Sequence, residues 1–178
     1  MRNPLLLDAC IAINLLATNH SESIAEALEI HFLMARQAAT ECECLDIADD
    51  KIAVRRQGTE ATTMAFADVL SLVDAEIDDY VQLARDIDDG EAATIAIAKS
   101  RSLPMATDDR KARRVAVEVG LTIPIGTTSI LRRYAGIANL TPPHVAELLQ
   151  RVRNDASYIP RHTDENFAWW QQAIHLGS

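Results

Sequence analysis

Residues 88–113 read DDGEAATIAIAKSRSLPMATDDRKAR, and this stretch decides the fold. An acidic turn interrupted by Gly90 comes first, and the alanine-rich run from Glu91 to Ser100 predicts a helix, since alanine has the highest helix propensity. The apolar run over 103–106 predicts a short strand, and a second helix is predicted to begin at Asp109. The order helix, strand, acidic pair, helix is typical of an α/β protein.

The N-terminus repeats the arrangement of a strand that ends in an acid. Residues 4–7 are apolar and predict a buried strand, and Asp8 follows them at the start of a predicted helix. Ligands in open parallel sheets bind beyond the carboxyl ends of the strands, so Asp8 and the pair Asp108 and Asp109 are candidates for one cleft. Glu91, at the head of the neighbouring helix, can join them. An Asp at such a turn also caps a helix, so capping alone is the alternative interpretation.

Close carboxylates repel one another unless a cation neutralises them, and clusters of oxygen ligands suit Mg²⁺ or Mn²⁺. The remaining chain alternates between the two kinds of element. Strands are predicted at 30–34, within 69–77 and at 121–125, and helices at 8–18, 22–29, 36–48, 78–86, 109–119 and 126–134. Residues 49–57 are compatible with a helix or a loop, and residues 59–67 with a helix. The alternation predicts an α/β class with a parallel sheet.

The character of the chain changes after residue 136. We predict a domain over residues 1–136 and a C-terminal helical extension over residues 137–178, with helices at 141–154 and 164–174. Both tryptophans of the chain lie in the last helix, so we expect this extension to pack on the domain or on a partner.

Composition limits the classes of protein that fit. The net charge is −9, from 17 basic and 26 acidic residues, which argues against a nucleic-acid binder with a broad basic surface. A metal held by acids would still present local positive charge to a phosphate. We expect no membrane span and no signal peptide, and the odd count of three cysteines favours reduced thiols in the cytoplasm.

Several motifs together carry a resemblance to a known family. They are the apolar strand ending in Asp8, a glutamate near position 40, the turn Asp89-Gly90-Glu91 with its alanine-rich helix, the segment from Thr107 to Arg113, and Gly126-Thr127. Over about residues 4–136, the chain resembles the PIN-domain proteins, the family of VapC-type toxins and related nucleases. The resemblance implies a three-layer α/β/α sandwich around a parallel sheet of four to five strands.

The resemblance also implies a function, which is a divalent-metal-dependent endoribonuclease that hydrolyses RNA phosphodiester bonds with Mg²⁺ (or Mn²⁺). The catalytic acids carried over from the family are Asp8, Glu41, Glu91 and Asp109. The metal ligands carried over are Asp8, Glu91, Asp108 and Asp109. Two choices stay open: Glu41 or Glu43 as the second acid, and Asp108 or Asp109 as the fourth. The expected contacts to RNA come from Thr107, Arg110, Arg113 and Thr127.

The family further implies a toxin of a type II toxin–antitoxin pair, with an antitoxin protein as partner and a homodimer as the assembly. The main alternative is a PIN-like protein-binding module with little or no catalytic activity, which the acidic charge and the tryptophan-bearing tail favour. A receiver-type phosphoacceptor ranks lower, because the first strand supplies a single acid and no lysine follows the last strand. A phosphatase of the Asp-x-Asp type is excluded by Cys10, which stands where its second Asp would be.

Overall fold

The computed structural model describes residues 2–42, 45–48, 51–54 and 65–176. Its strands are β1 (Asn3–Leu7), β2 (Ile30–Ala35), β3 (Leu45–Ala48), β4 (Lys51–Val54), β5 (Ala65–Leu70) and β6 (Met105–Ala106). Its helices are α1 (Ala9–Ala17), α2 (Ser21–Ala27), α3 (Arg36–Thr40), α4 (Asp74–Leu83), α5 (Asp89–Arg101), α6 (Arg110–Glu118), α7 (Thr127–Ile137), α8 (Pro142–Asp155) and α9 (Phe167–Leu176). None of the helices within these ranges is long and apolar enough to cross a lipid bilayer.

The strands in the described segments form one sheet in the order β3-β4-β5-β2-β1-β6. Strands β5, β2, β1 and β6 run parallel, whereas β3 and β4 extend one edge of the sheet as antiparallel neighbours. Strand β1 pairs with both β2 and β6 and is therefore an inner strand. Its side chains Leu5, Leu6 and Leu7 are all buried, as expected for a strand covered on both faces.

Helices cover the sheet in two layers. Helix α5 is central to one layer, where it contacts α3, α4 and α6 as well as β1, β2 and β6. Its alanine side chains are buried, and their small size lets the helix approach its neighbours closely: Ala92, Ala93, Ala96 and Ala98. In the other layer, α7 contacts α1 and α2, and α8 contacts α1. The predicted α/β/α sandwich around a parallel sheet is therefore confirmed. The described sheet has six strands where four to five parallel strands were predicted, because β3 and β4 extend its edge in the antiparallel sense.

The helix predicted over residues 36–48 is wrong in its second half. Helix α3 ends at Thr40, and residues 45–48 form β3, which pairs with β4. The apolar positions Ala38, Cys42 and Leu45 have the spacing of a helix, and all three are buried. Leu45 reaches the core from a strand instead, because pairing with β4 supplies backbone hydrogen bonds that local sequence does not reveal.

The segment between β3 and α4 also differs from the prediction. Residues 51–54 form β4, where a helix or a loop was expected. A helix was expected over residues 59–67, but residues 65–67 belong to strand β5. The strand expected within 69–77 is the end of β5, and α4 begins at Asp74. Residues 49–50 and 55–64 lie outside the described residues. Both corrected strands depend on antiparallel pairing with distant residues, which outweighs local propensity.

The last predicted strand, residues 121–125, is reduced to one isolated parallel bridge between Ile125 and Ala106. The Ile125 N–H donates to the Met105 carbonyl at 3.1 Å, and the Thr107 N–H donates to the Ile125 carbonyl at 3.0 Å. Pro124 precedes this bridge and has no N–H to donate, which opposes a longer ladder.

Helices α8 and α9 contribute to the same apolar core as the sheet. The buried side chains from these helices include Leu148, Leu149, Val152 and Trp170. The division of the chain at residue 136 stays a prediction.

Candidate active site

The parallel pairing of β1 with β6 brings two polar residues together at the carboxyl ends of these strands. Asp8 directly follows β1, and Thr107 directly follows β6. The Thr107 hydroxyl donates a 2.7 Å hydrogen bond to Asp8 Oδ2. Asp8 Oδ1 accepts a 2.8 Å hydrogen bond from the Ala9 N–H and thereby caps α1. Asp8 therefore lies at the strand end where the sequence places it, and it is also a helix cap.

Asp8 is only 5% exposed, and burial raises the pKa of its carboxyl above the ordinary value. Three hydrogen bonds, from Thr107, Cys10 and the Ala9 N–H, oppose this rise. The negative charge of Asp88 raises the pKa further. Burial and the Asp88 charge thus disfavour the ionised form of Asp8, and positive charge nearby would favour it.

The start of α5 adds further carboxyl groups to the same place. Asp88 caps the helix by accepting a 2.8 Å hydrogen bond from the Glu91 N–H. The Glu91 side chain is partly buried, and this burial and three neighbouring carboxylates raise its pKa to about 8. In decreasing order of effect these neighbours are Asp88, Asp109 and Asp8. We call the four residues Asp8, Asp88, Glu91 and Asp109 the acid cluster.

Glu41 lies beside the acid cluster, at the C-terminal end of α3. Its Oε1 accepts a 2.9 Å hydrogen bond from the Gly90 N–H. A Cβ atom at position 90 would lie 2.3 Å from this oxygen, so glycine is what lets the carboxylate approach the backbone. Loss of water around the carboxyl raises the pKa of Glu41, and the charges of Asp88 and Asp8 add to the rise. Glu43, the alternative to Glu41, lies outside the described residues.

The neighbours Asp108 and Asp109 belong to different networks. Asp109 caps α6, where its Oδ1 accepts hydrogen bonds from the N–H groups of Lys111 at 2.6 Å and Ala112 at 2.8 Å. Of these two neighbours, Asp109 is the one whose charge raises the pKa of Glu91. Asp108 Oδ1 instead accepts a 3.0 Å hydrogen bond from the Thr127 N–H, and its Oδ2 accepts one of 2.6 Å from the Thr127 hydroxyl.

Asp108 is the centre of a polar network that the sequence interpretation missed in part. The side-chain amide of Asn14 donates to Asp108 Oδ2 at 3.2 Å and to the Thr127 hydroxyl oxygen at 2.9 Å. Tyr158 also hydrogen-bonds to Asp108, and burial followed by the Asp108 charge raises the pKa of this phenol. Asn14 is 4% exposed on the otherwise apolar helix α1, and a lone amide in such a run was the signal available in the sequence.

The predicted RNA-binding arginines lie beside both networks. Arg113 donates a 3.0 Å hydrogen bond to the Thr107 carbonyl, and its charge lowers the pKa of Asp108 against the larger effect of burial. Arg110 is exposed. Both line a cleft of about 580 Å³, which we call the arginine cleft; its other lining residues include Asp109, Tyr158 and Arg161. Arg161, from the loop between α8 and α9, was not predicted, because a single arginine in a loop has no distinguishing pattern.

A family comparison agrees with this geometry. A family model described as a PIN domain matches residues 6–168, which is nearly the whole chain. The chain belongs to the PIN-domain family. The PIN domain is a nuclease-type fold, so a nuclease-type fold is established for this chain, while the VapC-type assignment stays a prediction. No curated protein and no solved structure matches the chain.

PIN domains generally use divalent metals, and the acid cluster allows a test of whether this chain fits such an ion. Among the residues the structure describes, no three His, Cys, Asp or Glu side chains converge in the arrangement of a metal site. The donors nevertheless fit in kind, since all are carboxylate oxygens of the type that Mg²⁺ and Mn²⁺ prefer. Burial and then the neighbouring carboxylates raise the pKa of Glu91, and a bound cation would relieve the repulsion between these carboxylates.

Proposed function

We propose that this PIN domain is a divalent-metal-dependent endoribonuclease that hydrolyses RNA phosphodiester bonds at the acid cluster. The observation that carries the proposal is the acid cluster itself, in which burial and then the charges of neighbouring carboxylates raise the pKa of Glu91 to about 8. Burying carboxylates beside one another costs stability, and strongly perturbed acids in a cleft are typical of functional sites. A bound cation would relieve the repulsion between these carboxylates, and this relief would favour its binding.

Each residue of the site has a role in this proposal. Asp8, Glu91 and Asp109 would hold the ion, which we propose to be Mg²⁺ (or Mn²⁺). We choose Asp109 over Asp108 because the Asp109 charge acts on Glu91, whereas Asp108 hydrogen-bonds to Thr127. A bound divalent ion of this kind supplies Lewis acidity toward a phosphate and toward an attacking water.

The remaining polar residues position the acids or the substrate. The Thr107 hydroxyl donates a hydrogen bond to Asp8, which fixes that carboxylate at the strand end. Glu41 holds the turn at Gly90 by accepting its N–H, and we propose that it also supports the ion directly or through water. Arg110 and Arg113 would hold a phosphate of the RNA strand, because a guanidinium group matches two phosphate oxygens.

We further propose that the protein is the toxin of a type II toxin–antitoxin pair and acts in the cytoplasm. The family resemblance supports this role, and the net charge of −9 favours an antitoxin that contacts the protein through basic residues. A homodimer is part of the same proposal. It rests on the apolar helices early in the chain.

A protein-binding module is the second candidate, and one observation favours it. Among the described residues no three potential ligands converge, and both Asp8 oxygens as well as Asp109 Oδ1 already accept hydrogen bonds from the chain. Acids engaged in this way would stabilise the fold even without catalysis.

Cleavage of a mixed RNA pool by the purified protein separates these candidates. Wild type is compared with Asp8→Asn and Glu91→Gln, with and without Mn²⁺ or Mg²⁺, and Glu22→Gln serves as an exposed control in the first turn of α2. We expect metal-dependent cleavage that both site variants lose and the control keeps. If wild type cleaves no RNA and calorimetry detects no bound Mn²⁺, the ribonuclease proposal fails and the binding module becomes the better explanation.

A further inference from the structure

We propose that Arg161 binds a phosphate of the RNA strand next to the bond that is cleaved, so that the loop between α8 and α9 forms one wall of the substrate groove. This inference rests on the proposed ribonuclease function and assigns to it a specific residue far along the chain from the acid cluster.

The first observation is the position of the arginine cleft. Asp109, a member of the acid cluster, lines it, so the cleft opens onto the proposed site of hydrolysis. Arg110 and Arg113 from α6 contribute one part of the lining, and Arg161 contributes another from the α8–α9 loop. A volume of about 580 Å³ lies in the usual range of ligand sites and is large enough for a nucleotide.

The second observation is that the acidic groups of the cleft already have hydrogen-bond donors from the chain. Asp164 accepts from the Thr128 hydroxyl at 2.9 Å, and Glu165 accepts from the Ser129 hydroxyl at 2.9 Å. Asp108 accepts from Thr127 in the same way. Asp164 and Glu165 attach the α8–α9 loop to α7, and Asp108 attaches the segment between β6 and α6 to the same helix. None of these hydrogen bonds involves an arginine.

Two arginines of the cleft, unlike these carboxylates, have side chains with no hydrogen-bond partner within the described part of the chain. Within the described part of the chain, neither Arg110 nor Arg161 has a side-chain hydrogen bond or an ion pair, and both are exposed. Arg161 therefore presents all its guanidinium donors to the cleft or to solvent. A planar cation with five unused donors matches the oxygens of a phosphodiester better than it matches a neutral ligand.

The third observation is that the loop holds Arg161 in a defined place. Pro160, directly before it, is buried, and Tyr158 packs edge-on against Trp170 with ring centroids 5.6 Å apart. On the other side, the Asn166 side-chain amide donates to the Ser129 hydroxyl oxygen at 3.1 Å. An anchored backbone lowers the entropy lost when the side chain binds a ligand.

The net charge of the chain favours a cation in this place for binding RNA. A protein with a charge of −9 repels RNA at long range, so local cations must supply the attraction beside the acid cluster. Arg161 would add a phosphate contact to those proposed for Arg110 and Arg113. The C-terminal segment would then belong to the substrate site as well as to the apolar core.

Equilibrium binding of RNA tests the proposal separately from cleavage. The full chain carrying Asp8→Asn, which keeps a helix-capping side chain and leaves the probe intact, is titrated in Mg²⁺ into fluorescein-labelled single-stranded RNA of mixed sequence. Fluorescence anisotropy is followed over a series of salt concentrations. Arg161→Gln is compared with Arg161→Lys and with Arg153→Gln, a control in the last turn of α8 at an exposed position that does not line the cleft.

We expect Arg161→Gln to lower the salt slope of log K by about 0.7, which corresponds to about fivefold weaker binding at roughly 0.1 M salt relative to a 1 M reference. Arg161→Lys should restore most of the affinity, and Arg153→Gln should bind like the parent. If the parent binds RNA but Arg161→Gln weakens binding no more than Arg153→Gln, the role of Arg161 is refuted and the ribonuclease proposal stands. If wild type neither binds nor cleaves RNA, both proposals fail together.

Discussion

Replacing Glu91 by glutamine removes from the acid cluster the carboxyl group whose pKa burial and neighbouring charges raise to about 8. The pKa of Glu91 is raised from 4.5 to about 8, so between these pH values the folded protein holds a proton that the unfolded chain releases. Because the folded state then binds more protons, the free energy of unfolding falls as the pH rises through this range. A glutamine at this position has no proton to lose and escapes the penalty.

The size of the effect follows from the pKa and the burial. A rise of about 3.5 corresponds to a ceiling of about 5 kcal/mol, at 1.36 kcal/mol for each pH unit. Glu91 is only partly buried, and water screens the repulsion, so we expect a fraction of this ceiling, about 1–2 kcal/mol. Without divalent ions at about pH 8.5, Glu91→Gln should therefore be more stable than wild type by this amount, which raises Tm by about 2–8 °C.

Urea unfolding in EDTA between about pH 4.5 and pH 8.5 measures this difference. The stabilities of wild type and variant should converge toward the acidic end, where Glu91 is protonated in the folded state and about half protonated in the unfolded chain. Glu22→Gln, an exposed first-turn position of α2, should show little change at any pH. Added Mg²⁺ should stabilise wild type more than Glu91→Gln, since it favours the charged cluster. A variant that is less stable than wild type at about pH 8.5, or a gain that does not depend on pH, would refute the reasoning.

Two further predictions concern stability elsewhere. Gly90→Ala should destabilise the protein by about 1 kcal/mol, because the added Cβ displaces the Glu41 carboxylate from the N–H at position 90. Thermal unfolding checks this against Gly136→Ala, in the last turn of α7, where the added Cβ meets open space and we expect a gain of up to about 0.5 kcal/mol. Glu76→Gln should cost about 1.5–3 kcal/mol near pH 7, because it weakens the hydrogen bonds from Arg101, at 2.7 and 2.9 Å, that lower the pKa of Glu76. This stabilisation is present above the ordinary pKa and disappears as the pH falls through the lowered one, so urea unfolding of both proteins at acidic pH should give similar stabilities; a cost that persists there would contradict the assignment.

The strands and helices that the sequence predicted well are those whose local pattern agrees with their place in the fold. Strand β1 has three consecutive leucines because it is covered on both faces, and α5 combines strong helix formers with a capping Asp88. The segments predicted wrongly, β3 and β4, lie at an edge of the sheet and depend on antiparallel partners. Their local pattern is compatible with a helix, and only long-range pairing decides against it.

The candidate site divides in the same way. The sequence by itself placed Asp8, Glu91 and Asp109 at strand ends and helix starts, because capping and the termination of apolar runs are local signals. Their distribution between two networks was decided by tertiary structure: Asp109 acts on Glu91, while its neighbour Asp108 pairs with Thr127. One peptide bond separates these two acids, so no spacing rule distinguishes them.

The sequence by itself determined the α/β class and the residues that gather at the carboxyl ends of the strands, since hydrophobic periodicity and helix capping act over a few residues. Tertiary structure alone decided that Asn14 contacts Asp108 and that Arg161 lines the cleft beside Asp109. These pairs lie far apart along the chain and meet only after the sheet and both helical layers have assembled. Tertiary structure also decides the pKa of Glu91, because this pKa depends on burial and on charges from three separate elements that only the folded chain holds together.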